Sequence, residues 1–340
     1  MSKFIMLRAT TKQTHVKFEG QFAKNDDYYE DVTTSTDFWL VFADGLRKYF
    51  DQVEVWFQED IYHPEGKFVH STGLIERYFK KGYNFKNEKE PDILFVRGSH
   101  KEYETVIARF PLAQKVYYPS GFYYFPTIGK DWDVCFTEDP NHMQEVEKRT
   151  QADVFLFKKS CVAEPFLSWN CEKEYDLCFI CGAKERDRKR LHLLKPLLDQ
   201  VKNKFSVLVM GLKSEKVVEE FKDYNVTFGG FINRKEIGKY MSKCRAGTVL
   251  SSYKGDGSPR VIQEFLASNI PILVCSDSVF SPYYINEKTG VVGNTSSLGY
   301  DAENILTNMD RFSPRQYFLE ELTMEKSVEH FMDCVYRKRI

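Results

Sequence analysis

No stretch of 18 consecutive apolar residues occurs in this chain, so no segment is long enough to cross a bilayer as a helix. Residues 1–12 hold no apolar run of the kind that leads a secreted protein, and a cytoplasmic location is expected. Neither sign of charge is in excess. The 48 Lys and Arg against 49 Asp and Glu leave a net charge of −1, so no strong pull toward nucleic acid or an anionic membrane is expected. The eight cysteines follow no framework spacing, which fits reduced thiols. Cys178 and Cys181 lie in an apolar run that reads as a strand, where their side chains point to opposite faces. A redox pair needs a helix start, so burial as structural thiols is expected instead. No G-x-G-x-x-G follows any strand-like run, which disfavours a dinucleotide oxidoreductase. Internal repeats and low-complexity segments are also lacking.

What is present suits two domains. At 340 residues the chain is long for one core, and 42% hydrophobic with 29% charged residues is the balance of a soluble globular protein. Aromatic content is high at 15%, and most of these rings are expected to fill cores. Strand-like runs alternate with helical stretches throughout, the pattern of a doubly wound α/β protein. In the first half, strands are expected at 3–7, 53–57, 92–96, 115–118, 133–136 and 154–157, with helices at 37–50 and 142–149. The second half reads as strands at 177–180, 206–210, 225–228, 246–250 and 272–275. Helices fall between them at 190–201, 215–221 and 235–242, and the tail 314–336 reads as one or two more. The polar stretch 164–174, with Pro165 inside it, marks the boundary. Domains are expected at 1–165 and 166–315, followed by a tail at 316–340.

The segment Asp256-Gly-Ser-Pro-Arg-Val-Ile-Gln-Glu264 carries the most chemical information. Gly257 lets backbone approach a ligand with no side chain in the way. Ser258 is a good N-cap and Pro259 suits the first helical position. Val261, Ile262, Phe265 and Leu266 then repeat at helical spacing, Asn269 suits a left-handed stop, and Pro271 prevents continuation. A helix beginning at Ser258 turns its unpaired N–H groups toward the preceding turn and makes an anion site suited to phosphate. Asp256 and Glu264 flank that cradle as acceptor-only groups suited to sugar hydroxyls. The run Lys184-Glu-Arg-Asp-Arg-Lys-Arg190 follows a strand ending at Gly182, on the side where open α/β sheets bind ligands. Guanidinium and ammonium groups there suit a diphosphate.

These residues resemble the retaining glycosyltransferases of family 4, which have the two-domain GT-B fold. Two acids with seven residues between them, then a small-residue helix and a Pro-hydrophobic strand, match at Asp256, Glu264, Ala267, Pro271 and Ile272. Asp256 stands where the family usually has Glu, and Asn269 where it has Gly. The likeness continues in Asn225-Val-Thr-Phe-Gly-Gly-Phe-Ile232 with Lys235-Glu-Ile-Gly-Lys-Tyr240, in Tyr284-Ile-Asn-Glu-Lys-Thr-Gly-Val-Val292, and in Asp176-Leu-Cys-Phe-Ile-Cys-Gly182. It covers roughly residues 176–330 in order and spacing, and the first half only in outline.

The resemblance implies two Rossmann-like domains facing across a cleft, with the last helix crossing back to the first domain. It implies sugar transfer with retention, from a nucleoside-diphosphate sugar to a glycan, glycoprotein or other hydroxyl acceptor. GDP-mannose is favoured on family frequency, ahead of a UDP-sugar. Asp256 then orients the donor sugar, Glu264 takes the ribose hydroxyls, and Gly257, Ser258 and Pro259 line the phosphates. Where the family has an Arg after the glycine this chain has Ala183, so Lys184 and Arg188, with Arg186 as substitute, are expected at the diphosphate. Gly230, Phe231 and Ile232 would frame the base. His100, after the strand 92–96, corresponds to a histidine that faces the donor sugar in the family. Asp131-Trp-Asp133 has the spacing of a metal-binding acid pair but opens a strand in the other domain type, and reads as a turn. No metal or other cofactor, no nucleic acid partner and a monomer are expected. Two other readings stay open: a sugar-nucleotide epimerase on the same fold, and a non-catalytic sugar-nucleotide-binding module.

Overall fold

The computed structural model describes residues 1–8, 32–33, 35, 37–58, 65–80, 82–98, 101–119, 132–251, 259–278 and 283–337. The chain divides into two compact units. Unit 1 comprises Met1–Thr137, Asn141–Phe157 and Ser327–Ile340, and unit 2 comprises Glu138–Pro140 and Lys158–Lys326.

Unit 1 opens with β1 (Lys3–Arg8), α1 (Phe38–Gly45), β2 (Gln52–Gln58), β3 (Gly66–Val69) and β4 (Ile75–Phe79). It continues through β5 (Ile93–Arg97), α2 (Lys101–Arg109), β6 (Gln114–Tyr118), β7 (Val134–Thr137), α3 (Pro140–Glu147) and β8 (Asp153–Leu156). The eight strands form one sheet in the order β3-β4-β2-β1-β5-β6-β7-β8. Every pairing is parallel except β3 with β4. From β1 the chain winds outward through β2 and β4, then returns to β5 on the other side of β1. The direction switches between β1 and β5. All six residues of β1 are buried, as a central parallel strand covered on both faces requires. Asp37 starts α1 by accepting hydrogen bonds from the N–H groups of Trp39 and Leu40, an N-cap that satisfies two otherwise orphaned donors.

Unit 2 contains α4 (Glu164–Leu167), β9 (Tyr175–Ile180), α5 (Arg186–Lys189), α6 (Leu194–Gln200), β10 (Val207–Met210), α7 (Glu215–Glu220) and β11 (Val226–Gly230). Then come α8 (Ile237–Ser242), β12 (Cys244–Val249), α9 (Arg260–Ala267), β13 (Ile272–Cys275), β14 (Gly290–Gly293), α10 (Leu298–Thr307) and α11 (Pro314–Glu321). Its six-stranded sheet has the order β11-β10-β9-β12-β13-β14. All pairings are parallel. This is the doubly wound arrangement with its switch point between β9 and β12. One face buries Leu177, Phe179, Leu197, Val209 and Ile305, and the other buries Cys178, Leu208, Phe265, Val274 and Phe318. Phe265 seats α9 on the sheet over Gly247, where an added Cβ would stand 2.6 Å from the ring. A fully buried Phe contributes about 1.5–3 kcal/mol.

The last helix, α12 (Met324–Tyr336), carries Phe331 into the aromatic core of unit 1. Its ring lies 6.1 Å from Phe4, 5.4 Å from Phe42 and Phe95, and 5.2 Å from Phe136. Core filling is thus the role of many of the abundant rings.

The α/β class with two doubly wound units is as the sequence implies. Several elements differ. The expected helix 190–201 starts late: Arg190 adopts a left-handed conformation with φ 57° that separates it from α5, a 3-10 turn covers Leu191–Leu193, and α6 follows. The helix expected from Ser258 begins instead at Arg260, with Pro259 extended at the cap (φ −64°, ψ 121°). Proline has no N–H to lose there, so it fits outside the helix as well as in its first turn. Asn269 takes the left-handed stop as expected, with φ 62°. Ile270 N–H then reaches Phe265 O at 3.0 Å, closing the end of α9.

Candidate active site

Because the strands of unit 2 are parallel, the loops after β9, β10, β11, β12 and β13 share one edge of the sheet. That carboxyl edge, at a switch point, is where such sheets bind ligands. Two ion pairs knit it together. Arg190 holds Asp277 through both carboxylate oxygens, at 2.8 and 2.7 Å, joining the loop after β9 to the loop after β13. Arg234, in the loop after β11, donates from Nη2 to Oε1 of Glu264 on α9 at 2.7 Å. Asn233 shapes that loop: its side-chain Oδ1 accepts from Lys235 N–H at 2.9 Å and its carbonyl from Glu236 N–H at 2.9 Å. Gly238 lets α8 press against α4, since a Cβ there would sit 2.0 Å from Pro165 O.

The basic run after β9 is unevenly engaged. Arg186 is tied to Glu220 at 2.5 Å and Arg188 to Glu185. Lys184 is exposed and makes no ion pair or hydrogen bond with any described residue. Of the three cations expected at a diphosphate, Lys184 alone is uncommitted. Arg186 and Arg188 would have to leave carboxylates behind. Burial, and next the charge of Glu185, push the Cys181 thiol up to about 11, although Lys189, Arg186 and Arg188 act the other way. The shift favours the protonated thiol at neutral pH. Cys178 and Cys181 pack on opposite faces of the sheet, as the alternation of a strand dictates, and none of the eight cysteines forms a disulfide.

Glu264 is 4% exposed, an ion-paired acid within the fold rather than a surface carboxylate. Gly230 is buried with φ 69°, a conformation that favours glycine, and it ends β11. Ile232 packs partly against the core, whereas Phe231 is 73% exposed. Pro259 is buried at the head of α9. Asp256, Gly257 and Ser258 lie outside the described residues, as do His100 in unit 1 and Asp131. Two further residues belong to this edge and are not singled out by the sequence. Arg234 stands two residues after Ile232, the end of the segment expected to frame a base, and that proximity is its only signal. Ser251, just beyond β12, is fully buried and its hydroxyl has no hydrogen-bond partner among the described residues. Such an orphan is rare and needs an explanation.

Residues 172–310, which hold this sheet and its carboxyl-edge loops, match the family model described as glycosyl transferases group 1. Among curated proteins none matches the chain. Solved structures resemble it over nearly its whole length. Sucrose-phosphate synthase from Thermosynechococcus elongatus is 14% identical with a TM-score of 0.69, covering 99% of both chains. A glycosyltransferase from Rickettsia africae ESF-5 is 11% identical with a TM-score of 0.68, covering 99% of this chain and 98% of that one. An alpha,alpha-trehalose 6-phosphate synthase from Burkholderia multivorans is 9% identical with a TM-score of 0.67, covering 100% of this chain and 99% of that one.

The fold is GT-B. The family match adds support for a group 1 glycosyltransferase. Within the GT-B frame the matched span falls in unit 2, where the ion-paired Glu264 and the exposed Lys184 stand. Among the described residues no helix is long and apolar enough to cross a membrane.

Proposed function

We propose that this protein is a retaining glycosyltransferase that moves a sugar from a nucleoside-diphosphate sugar to a hydroxyl of a glycan or glycoprotein. GDP-mannose is the first choice of donor and a UDP-sugar the second. Unit 2 binds the nucleotide, unit 1 supplies the acceptor contacts, and His100 of unit 1 faces the donor sugar. The observation that carries this reading is the carboxyl edge of the second sheet. A buried carboxylate, Glu264, and an uncommitted ammonium, Lys184, stand there within the span that matches the family.

In this reading Glu264 accepts from the ribose hydroxyls, while Gly230, Phe231 and Ile232 frame the base. Lys184, the N–H groups around Ser258 and Pro259, and one of Arg186 or Arg188 after exchange of its carboxylate partner stabilise charge building on the departing diphosphate. Asp256 orients the hydroxyls of the transferred sugar. The acceptor attacks on the face the diphosphate leaves, and a leaving phosphate oxygen takes the acceptor proton. The basic loop and helix start neutralise the diphosphate, so transfer is metal-independent.

Calorimetric titration with GDP-, UDP- and ADP-sugars tests the donor, and release of nucleoside diphosphate tests turnover. Binding of one nucleotide class, with release dependent on an acceptor, is the expected result. No binding by any of the three would overturn the reading. Conversion of the donor sugar without an acceptor would replace it by an epimerase.

A further inference from the structure

Arg234 and Glu264 are 30 residues apart in sequence and meet at 2.7 Å. The two side chains are unequally covered: 30% of Arg234 and 6% of Glu264 is exposed. A carboxylate so enclosed needs a counter-charge, and Arg234 supplies it. The two oxygens of Glu264 differ. Oε1 accepts from Nη2, while Oε2 accepts no hydrogen bond from any described residue. Both charges act on one buried neighbour as well. Burial pushes the Cys161 thiol well above its usual value, Glu264 pushes it further, and Arg234 acts against them. Glu264 is thus the enclosed member of the pair, and Arg234 the one that keeps contact with solvent.

We propose that Arg234 is a positioning residue for the donor, holding Oε1 of Glu264 so that Oε2 is presented to the ribose hydroxyls and the site selects ribonucleotides over deoxyribonucleotides. This rests on the assignment of Glu264 to the ribose. An untethered glutamate samples several rotamers and loses that freedom on binding, whereas a tethered one is already placed. The loop that carries Arg234 also follows the base-framing residues Gly230–Ile232. One side chain thus couples the base segment to the ribose segment.

The test is calorimetric titration with the nucleoside diphosphate that binds and with its 2′-deoxy counterpart. The proteins are the unaltered chain, Arg234→Met, Arg234→Lys and Glu264→Gln. The unaltered chain is expected to prefer the ribonucleotide about tenfold or more, the range of a hydrogen bond to a charged group. Arg234→Met is expected to lose most of that preference, weakening the ribonucleotide about tenfold and the deoxynucleotide little. Arg234→Lys, which keeps the charge and disturbs folding least, should retain part of the preference. In turnover assays the donor KM should rise in Arg234→Met with kcat nearly unchanged. A pair that only braces the fold would weaken both nucleotides equally, and that result overturns the proposal. So would full preference in Arg234→Met. Glu264→Gln separates the two levels. If it loses the preference while Arg234→Met keeps it, only the role of Arg234 fails. If it too keeps the preference, the ribose assignment fails with it.

Discussion

Arg8, the last residue of β1, grips Asp37, the N-cap of α1, through both carboxylate oxygens at 2.8 and 3.0 Å. The guanidinium is almost fully enclosed, with 3% of its side chain exposed, while Asp37 keeps 29%. Replacing Arg8 with Gln leaves the carboxylate without its partner beside a buried polar group. Losing one partner of a buried pair costs about 3–5 kcal/mol, and the residual exposure of Asp37 places this case near the lower end, about 3 kcal/mol. Urea denaturation of Arg8→Gln should show that loss, and the double replacement Arg8→Met with Asp37→Asn should recover part of it.

The same pair sets a pH dependence. Burial alone pushes the Asp37 carboxyl up, but the Arg8 charge and hydrogen bonds, with the N–H groups of Trp39 and Leu40, outweigh it and hold the carboxyl well below the usual range. A depressed folded-state value means that the stabilisation is full above the unfolded value, about 3.9, and is lost as pH falls below it. Acid unfolding of the unaltered chain should steepen below about pH 4, and Asp37→Asn should remove that part of the slope.

Lys184, which pairs with no described residue, is the proposed ammonium at the departing diphosphate. Lys184→Met is expected to lower kcat about 10²–10³-fold, the usual cost of removing one preorganised electrostatic partner. Affinity for free nucleoside diphosphate should fall much less. Steady-state kinetics beside calorimetry separates the two.

Asp256→Ala is expected to abolish transfer and leave nucleotide binding largely intact, since a residue that orients the transferred sugar need not touch the nucleotide. Transfer by this variant at the unaltered rate would remove Asp256 from the chemistry. Transfer by the unaltered chain should also persist after dialysis against a chelator, and a loss restored by divalent cations would contradict metal-independence.

Gly290 opens β14 against β13. A Cβ there would stand 2.1 Å from Ile272 O, a backbone atom that cannot swing aside. Gly290→Ala is expected to cost about 3 kcal/mol, the upper part of the usual overpacking range, read as a lowered thermal midpoint.

Apolar runs such as those of β1, β10 and β13 are legible because parallel strands covered on both faces read as continuous hydrophobic sequence. The elements that escape notice break local rules for tertiary reasons. β4 carries Glu76 in mid-strand, which reads as surface, yet His70 and Tyr78 meet its two oxygens at 2.9 and 2.6 Å. α10 holds Gly299 near its start, a weak helix former, because a Cβ there would lie 2.4 Å from Leu197 O. α2 is a plain omission, since Tyr103, Val106 and Phe110 stand at helical spacing. At the site, Glu264 is legible because its helix, stop and following strand form one contiguous pattern. Its partner Arg234 is not, since it lies 30 positions away and an ion pair leaves no mark in spacing. For the same reason the engagement of Arg186 with Glu220, 34 residues away, is invisible to a reading that counts basic residues.

Phe331 closes the ring cluster of unit 1, yet it is synthesised after every residue of unit 2. Domains generally fold in the order in which they leave the ribosome. Here the earlier-made sheet must wait with an unsealed aromatic interior while the later one is translated and completed. The nascent first half therefore offers chaperones an exposed apolar surface for most of translation, and a stop codon shortly before position 327 would spoil the portion of the protein made first.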